Sequence, residues 1–430
     1  MQLYHVGITT IDVTPPVGVF LAGYAGRDIP SQDVYHPLRA DCIVIDDGDE
    51  PLLLVSIEWL GFYDRALEAR QRICARTGLN PSHILLSGSH THCGPVLRRE
   101  MDIRRHGFID EDYIDTTLDR LAEAAYQALN QRQPARLRVG IGWCGISSSR
   151  RRPDGEGGVA FKPSLDAPHD HRVSVLTVES PDGDLRHVLY SYACHPTSSG
   201  AISRIGGDYV AFAGDLLETT YPGVAASFFQ GCAGDQKIDA RDPVGDGYRK
   251  LDITEVQAKG EQLGQAVARV IDSGDLRPIA GALDVSQELV TLTTDTACEQ
   301  ELRVHLAGGG YGAEWARHHL GLIKAGEPAK RTFSFEVQTV RFGFSLAIVA
   351  LAGEMSVEYA LRFNAEPGGA YRDVWTLGYA NEMVGYVPVR RQIAEGGYEV
   401  IDNNRHLLYT GPFATETEER IAGAVKRALL

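Results

Sequence analysis

Two histidines stand close together in the segment Ser89–Pro95, which reads SHTHCGP. The apolar run Ile84–Leu86 before it predicts a buried strand, and the closing Gly-Pro pair predicts a sharp turn. Side chains at positions i and i+2 of an extended segment lie on the same side. His90 and His92 could therefore bind a divalent metal together, or one could transfer protons beside a metal that the other binds. A hydrogen-bonded pair of structural histidines at a strand end is the alternative.

Three more segments carry side chains that could join such a site. His195 follows a predicted strand, Glu354 ends the apolar run SLAIVALAGE, and Tyr386 lies in the segment GYVP. A buried carboxylate such as that of Glu354 needs a partner, because an unpaired buried charge is costly. Taken singly, the expected roles are a turn histidine, an ion-paired or helix-capping glutamate and a core tyrosine.

The elements that must position these side chains alternate loosely between strands and helices. Strands are expected at 40–46, 52–57, 84–89, 135–141, 173–178, 187–195, 224–229, 333–342, 346–352 and 374–377. Helices are expected at 63–77, 113–129, 209–220, 253–272, 299–325, 355–363 and 416–429. The polar segment 147–169, rich in Gly, Pro and Arg, predicts a long loop. These elements predict one large, mixed α/β domain over residues 1–430.

The composition of the 430 residues limits the classes of partner. The net charge is −15 at pH 7, which argues against a nucleic-acid partner. No apolar run approaches the roughly 20 residues of a membrane helix, and the N-terminal residues lack the pattern of a secretory signal. Seven cysteines without a CxxC pair do not predict a disulfide framework. We therefore expect a cytoplasmic protein with a small-molecule substrate and no membrane anchor.

In combination, the motifs resemble the catalytic domain of the neutral/alkaline (non-lysosomal) ceramidases, which are zinc-dependent amide hydrolases. Ser89–Pro95 is similar to the family's THTHSGP motif, and Ala193–Thr197 is similar to its VHPTS motif. Weaker similarities continue along the chain at Asp12–Pro15, Ala22–Tyr24, Gly206–Asp208, Gly234-Asp235, Gly353-Glu354, Asn381–Tyr386 and Tyr398-Glu399.

The resemblance implies a zinc ion with two imidazole, one carboxylate and one phenolate ligand, which are donors that this metal accepts. The implied ligands are His90, His195, Glu354 and Tyr386. His92 would act beside the metal in proton transfer. The family's arginine falls in the run Arg150–Arg152, where Arg151 fits best, and Tyr398 would hydrogen-bond the substrate carbonyl.

One segment departs from the family. Gly231 stands where the resemblance implies a serine, so a hydroxyl nucleophile is missing unless Cys232 replaces it. A water molecule activated by zinc needs no serine. The sequence also lacks the family's secretory signal and its C-terminal immunoglobulin-like domain, so ceramide is not the expected substrate. The run Arg150–Arg152 instead suits a small, soluble substrate with an anionic group.

The leading hypothesis is a zinc-dependent hydrolase that cleaves an amide (C–N) bond in such a substrate. An esterase or lactonase on the same site and a true ceramidase are alternatives, and a degenerate metal-binding protein is the alternative outside the enzymes. Near the motifs stand three cysteines, Cys93, Cys194 and Cys232, which could be ligands, a redox-sensitive rim or packing residues. At the end of the predicted loop stand His169, Asp170 and His171. These residues could reach the substrate or a second metal, or they could be solvated.

Overall fold

Mixed strands and helices make up the computed structural model, which describes residues 2–24, 26–97, 109–366 and 370–430. The helices are, in chain order, α1 (Ala66–Thr77), α2 (Glu111–Asn130), α3 (Asp208–Thr220), α4 (Ile253–Asp272), α5 (Glu299–Gly308), α6 (Gly310–Ala325), α7 (Val357–Ala365), α8 (Arg390–Glu395), α9 (Asn403–His406) and α10 (Thr417–Leu429). The first ten strands are β1 (Tyr4–Asp12), β2 (Asp33–Val34), β3 (Arg39–Asp46), β4 (Leu52–Ile57), β5 (Ile84–Gly88), β6 (Gln133–Trp143), β7 (Ser147–Pro153), β8 (Val159–Ser164), β9 (Arg172–Glu179) and β10 (Leu185–Tyr192). The others are β11 (Arg204–Ile205), β12 (Ala225–Gln230), β13 (Gln236–Ile238), β14 (Arg277–Pro278), β15 (Leu283–Thr293), β16 (Thr332–Phe342), β17 (Leu346–Leu351), β18 (Glu354–Met355), β19 (Asp373–Leu377) and β20 (Tyr386–Val387).

Two sheets and two sets of helices form four layers. The larger sheet has nine strands in the order β12-β10-β9-β6-β1-β3-β4-β5, with β14 paired to β6, and the second has the order β15-β16-β17-β19. Helices α1 to α4 cover one face of the larger sheet, since their apolar residues share two buried clusters with it. The smaller sheet packs on the opposite face, and α7 and α10 cover its outer face. Each sheet is thus buried between apolar layers, as the mixed α/β prediction requires.

Side-chain alternation along the strands supports this layering. On β3, Cys42 and Val44 belong to the cluster under α1 and α2, whereas Ile43 and Ile45 belong to the cluster between the sheets. Successive residues of a strand point to opposite faces, so one buried strand supplies both cores. A near-continuous apolar run such as that of β3 is therefore expected in a sheet covered on both faces.

Three pairs of parallel strands, each joined by a crossover that contains a helix, are adjacent in the chain to the predicted site residues. Strand β4 is parallel to β5 across α1, β10 is parallel to β12 across α3, and β17 is parallel to β19 across α7. Polar loops at the carboxyl ends of parallel strands are the usual place for a site in α/β folds. His90 and His92 follow β5, His195 follows β10, and Glu354 follows β17.

The larger sheet curves until its edge strand β12 contacts the strands β4 and β5 at the opposite edge. The hydroxyl of Ser56 on β4 donates a hydrogen bond of 2.6 Å to the carbonyl of Phe228 on β12. Isolated bridges then tie both edges to the chain after β17, through Ser87 with Ala380 and Gly231 with Leu377. The curvature brings the loops after β5 and β10 together, although these strands are far apart in the sheet order.

Three elements differ from the sequence predictions. The predicted loop 147–169 contains the strands β7 and β8, whose buried polar side chains hydrogen-bond to neighbours instead of filling an apolar core. The predicted helix 299–325 is broken at Gly309, which has a φ of 75° and separates α5 from α6. Strand β15 was not predicted, because it is a half-exposed edge strand whose apolar residues change phase along its length. None of the helices in the described ranges is long and apolar enough to cross a membrane.

Candidate metal centre and catalytic site

The first two site histidines lie in the loop that follows β5. His90 has a φ of 67°, and its backbone N–H donates to the carbonyl of Trp59 at 2.9 Å. Its Nδ1 lies 2.6 Å from the carbonyl oxygen of Leu60, and its Nε2 points toward Glu354. The Nε2 of His92 lies 3.2 Å from the Nε2 of His90. A non-glycine residue in the left-handed region is strained, and such strain is concentrated at functional sites.

The other three predicted ligands come from separate segments of the chain and lie close to His90 and His92. His195 follows β10, and its Nδ1 lies 2.6 Å from the carbonyl oxygen of Ala233. Glu354 and Tyr386 are direct partners in the parallel pair of β18 with β20. The Oε2 of Glu354 lies 3.2 Å from the Nε2 of both His90 and His195, and the Tyr386 hydroxyl lies 3.1 Å from the Nε2 of His195. All four side chains are buried.

The protonation of this cluster makes it suitable for a cation. A carbonyl oxygen can only accept, so the Nδ1 of His90 and the Nδ1 of His195 must each carry a proton. In a neutral imidazole the Nε2 is then a lone-pair acceptor, and both Nε2 atoms face the Glu354 carboxylate, which is also an acceptor. Burial, followed by the charge of Arg150, lowers the pKa of His195 to about 3, so this ring is neutral near pH 7. Acceptors that converge in this way need a positive ion between them, and the carbonyls orient the rings as in zinc sites.

The carboxylate and the phenol respond differently to burial. Burial by itself raises the pKa of Glu354, but positive charge at the His90 and His195 positions outweighs burial and holds the pKa well below its usual range, and a cation bound between these rings would supply that charge. Burial raises the pKa of Tyr386 well above its usual value, and the guanidinium of Arg150 acts against this rise. A cation in the cluster would favour the phenolate further, because nearby positive charge stabilises the ionised form.

His92 differs from the other two histidines in its surroundings. Its Nδ1 is buried and has no hydrogen-bond partner in the described part of the chain. Burial lowers the pKa of His92 well below its usual range, as do the charges of His90 and His195. A neutral ring with a nitrogen not committed to a carbonyl can accept a proton. By geometry, His92 could equally be a third nitrogen ligand, since ligand atoms of His90, His92 and His195 lie within 4.8 Å of one another.

The cavity beside this cluster extends in two directions. One part, here called the cationic chamber, is lined by Arg150, Phe161, Lys237, Tyr248, Arg249 and Lys250. The other part, here called the apolar chamber, is lined by Leu60, Val96, Trp315, Leu407 and Leu408, among others. Both parts share Tyr24, His92, Tyr386 and Tyr398. The cluster of predicted ligands therefore lies where the two chambers join.

The arginine that lines the cavity is Arg150, whereas Arg151, the residue that the resemblance favoured, does not line either chamber. The Arg150 guanidinium lies over the rings of Tyr386 and Tyr398, at 5.1 and 5.4 Å, and lines the cationic chamber. Arg151 points away and pairs with Glu399 and Glu395, at 2.7 and 3.1 Å. The β7–β8 ladder shifts register between residues 149 and 151, and such irregularities redirect side chains next to active sites. Tyr398, predicted to contact the substrate, lines both chambers.

The segment that replaces the family's serine supplies no nucleophile to the cavity. Gly231 and Cys232 line a separate small pocket behind the site. Burial raises the pKa of Cys232 well above its usual range, so it is a thiol at neutral pH. Cys93 and Cys194 are also buried thiols with raised pKa values, which agrees with their interpretation as packing residues.

The side chain of this segment that does reach the cavity is Lys237, which the sequence analysis missed. It forms an isolated parallel bridge with His195, and its ammonium group lines the cationic chamber. The only signal in the sequence was its position two residues after the Gly234-Asp235 pair.

The three residues of the predicted loop do not reach either chamber. The Nε2 of His171 lies 2.7 Å from the carbonyl oxygen of Ser147, and the ring of His169 packs at 4.3 Å from that of His171. Asp170 pairs with Arg172. Within the described ranges, the only histidine, cysteine and carboxylate group suited to a metal is the cluster at His90, His92 and His195.

Comparisons with known proteins agree with the fold. No protein-family model matches the chain. Neutral ceramidases A and B of Dictyostelium discoideum are each 26% identical, over 261 and 260 residues, which is 56% of this chain and 36% of those proteins. The neutral ceramidase structure from Pseudomonas aeruginosa has a TM-score of 0.75 at 19% identity, and a ceramidase structure complexed with C2 has 0.75 at 18%. Both comparisons cover 100% of this chain and 74% of the other.

The fold and the sequence matches thus indicate which proteins this chain resembles. It is similar in sequence to neutral ceramidases and shares the fold of a neutral ceramidase structure, which is the resemblance that its motifs predicted. Its sequence match spans about a third of the length of the curated relatives.

Proposed function

We propose that the protein is a zinc-dependent hydrolase that cleaves an amide bond in a small-molecule substrate. The observation that carries this proposal is a convergence of ligand atoms: the Nε2 atoms of two histidines, whose rings are oriented by carbonyl oxygens at Nδ1, each lie 3.2 Å from the carboxylate of Glu354. His90, His195, Glu354 and Tyr386 would hold the metal. Zinc bound by these residues would supply Lewis-acid chemistry, namely polarisation of a carbonyl and a lower pKa for water.

The protein's own groups would then move the proton and stabilise charge. His92, neutral near pH 7, would accept a proton from the attacking water and pass it to the leaving nitrogen. Arg150 has a buried Nη2 without a partner among the described residues, and this atom can donate to the carbonyl oxygen as negative charge develops. Tyr398 would donate to the same oxygen. The balance is one amide and one water giving a carboxylate and an ammonium ion, with cleavage of the C–N bond.

The relatives support the amide bond as the substrate class. Two curated proteins and two solved structures named as ceramidases match the sequence or the fold, and their name refers to hydrolysis of an amide. The predicted ligand set is intact, which argues against a degenerate metal-binding protein. The Gly231 segment contributes no serine to the cavity, which is compatible with water as the nucleophile.

The experiment that tests the proposal separates ligand from base. The purified protein should contain about one zinc ion per chain by elemental analysis. We expect His195→Ala to lose both zinc and activity. We expect His92→Ala to keep most of its zinc and to lose roughly 10²–10⁴-fold in turnover. The exposed His5 on β1 provides a control, because His5→Ala should change neither zinc content nor turnover.

Two results would contradict parts of this proposal. Equal loss of zinc from His195→Ala and His92→Ala would make His92 a ligand rather than the base. A protein that neither contains zinc nor takes it up after mild purification would refute the metal centre itself.

A further inference from the structure

The cationic chamber is unusual in a chain with a net charge of −15. Four of its lining side chains are cations, namely Arg150, Lys237, Arg249 and Lys250, and no carboxylate of the described residues lines it. The apolar chamber also carries charge, but of both signs, since Glu314 and Glu354 are acidic and Arg405 is basic. A concentration of one charge sign in a cleft attracts ligands of the opposite sign.

Two of the four cations already have internal partners. Arg150 pairs with Glu399 at 2.7 Å, and Arg249 pairs with Glu255 at 2.7 Å. These pairs leave less of the two guanidinium charges for a ligand. The remaining positive charge of the chamber comes from its two lysines.

Lys237 and Lys250 form no ion pair with any described residue. The ammonium of Lys237 donates to the carbonyl and the hydroxyl of Thr197, at 2.9 and 2.7 Å. An ammonium has three donors, so one remains for a ligand. Lys237 is half-buried, and a partly desolvated charge without a counterion is costly. An anion in the chamber would relieve this cost.

Lys250 approaches the same space from another loop. Its methylene groups lie against Gly200, where an added Cβ would meet three of them at 3.0 Å. The lack of a side chain at Gly200 therefore lets the Lys250 stem lie flat along the chamber wall. Two lysines from separate segments thus converge on one cavity, next to the predicted metal ligands.

We infer that the cationic chamber binds a carboxylate of the substrate, held by Lys237 and Lys250, while the apolar chamber holds an alkyl or aryl group on the other side of the scissile bond. This inference rests on the proposed function, since it places the amide at the junction of the two chambers. The substrate class is an amide that joins an apolar group to a small anionic one. The anion could belong to the amine half, as in an N-acyl amino acid, or to the acyl half, as in a monoamide of a dicarboxylic acid.

Turnover of matched amides tests the substrate class. The compounds are N-hexanoylglycine, its neutral analogue N-hexanoylglycinamide, N-hexylsuccinamic acid and a short-chain ceramide. We expect one of the two acids to have a kcat/KM about tenfold to a hundredfold above that of the glycinamide, which is the range of a charge-assisted hydrogen bond. The preferred acid identifies which half carries the anion. Equal rates for the acids and the glycinamide, or efficient turnover of ceramide alone, would overturn the inference and leave the hydrolase proposal standing.

Binding keeps the inference testable if none of the amides is hydrolysed. N-hexylsulfonylglycine and its glycinamide analogue have a sulfonamide bond that resists hydrolysis, and calorimetry can compare their affinities. Tighter binding of the acid supports the anion site even when the hydrolase proposal has failed. No preference for the acid excludes an anion site on the amine side, and binding of N-hexylsuccinamic acid and its neutral analogue N-hexylsuccinamide tests the acyl side in the same way. No preference for the acid in either pair refutes the site.

Lysine variants assign the effect to the chamber. Lys237→Gln and Lys250→Gln should each lower the ratio of kcat/KM for the acid to kcat/KM for the glycinamide, and Lys237→Arg should restore most of it. The ratio is informative even if a variant is less active with every substrate. Lys259 on α4 is half-buried like Lys237 and lines neither chamber, so Lys259→Gln is the matched control and should leave the ratio unchanged. A ratio that stays constant in both chamber variants would contradict the role of these lysines.

Discussion

Gly23 lies against the ring of His92, and a methyl group added at this glycine would displace the imidazole. A Cβ built on Gly23 falls 2.1 Å from the Nδ1 of His92 and 2.4 Å from its Cγ. Ordinary van der Waals contact begins at 3.4 Å, so the ring must move by about 1 Å to admit the methyl group. Displacements of this size from the productive geometry can cost about 10²-fold in rate. We therefore predict that Gly23→Ala lowers turnover by about two orders of magnitude.

A matched variant separates this steric effect from backbone strain. Gly23 has a φ of 89°, so alanine there also costs roughly 1–3 kcal/mol of stability. Gly18 has a φ of 106°, but a Cβ at this position meets nothing within 4 Å. Gly18→Ala should therefore show a similar loss of stability and nearly normal turnover.

Three measurements on both variants decide the outcome: kcat with an amide substrate, zinc per chain, and the midpoint of urea unfolding. We expect Gly23→Ala to keep its zinc, because the three atoms nearest the added methyl group all belong to His92 and none to His90 or His195. If Gly23→Ala retained full turnover, the placement of His92 in proton transfer would be wrong. If it lost zinc as His195→Ala does, His92 would act as a ligand.

Two further predictions concern charges around the site. Arg150→Ala should lower kcat by about 10²-fold, the size of a lost oxyanion donor, whereas Arg151→Ala should stay within about tenfold in kcat, because Arg150 still pairs with Glu399. Burial raises the pKa of Glu58 from 4.5 to about 7. The unfolded chain therefore releases the Glu58 proton at a lower pH than the folded protein does, and the folded state loses stability as the pH rises from 4.5 through 7. Glu58→Gln should therefore gain up to about 3 kcal/mol relative to the wild type between pH 5 and pH 8, measured by urea unfolding; an unchanged difference would contradict the raised pKa.

Regular elements were predictable where one period of apolar residues persisted. Helix α4 has the predicted bounds 253–272, and its start is fixed by a capping box between Asp252 and Glu255. Helix α1 ends at Gly78, whose φ of 76° gives the left-handed cap expected of glycine. These signals depend on neighbours in the sequence, so the sequence is sufficient to identify them.

Strands with polar interiors were not predictable in the same way. The run Ser147–Arg151 is buried, yet nothing in its composition indicates a strand. Its stability depends on partners more than 40 residues away, such as Tyr192 for Ser147 and Glu399 for Arg150. Choosing between Arg150 and Arg151 required the register of β7, and a loop prediction contains no register.

The candidate metal centre was predictable in part from local sequence and depends in part on distant contacts. Residue types and motifs predicted the four ligands, but their convergence depends on the curvature of the larger sheet and on its packing against the smaller one. His90 follows β5, His195 follows β10, and Glu354 follows β17 in the other sheet. A metal at this junction would link segments that local interactions do not hold together, and its binding free energy would add to the stability of the fold. The converging acceptors that a metal would neutralise are costly without it, so under the proposed function removal of the metal should lower the stability of the folded protein.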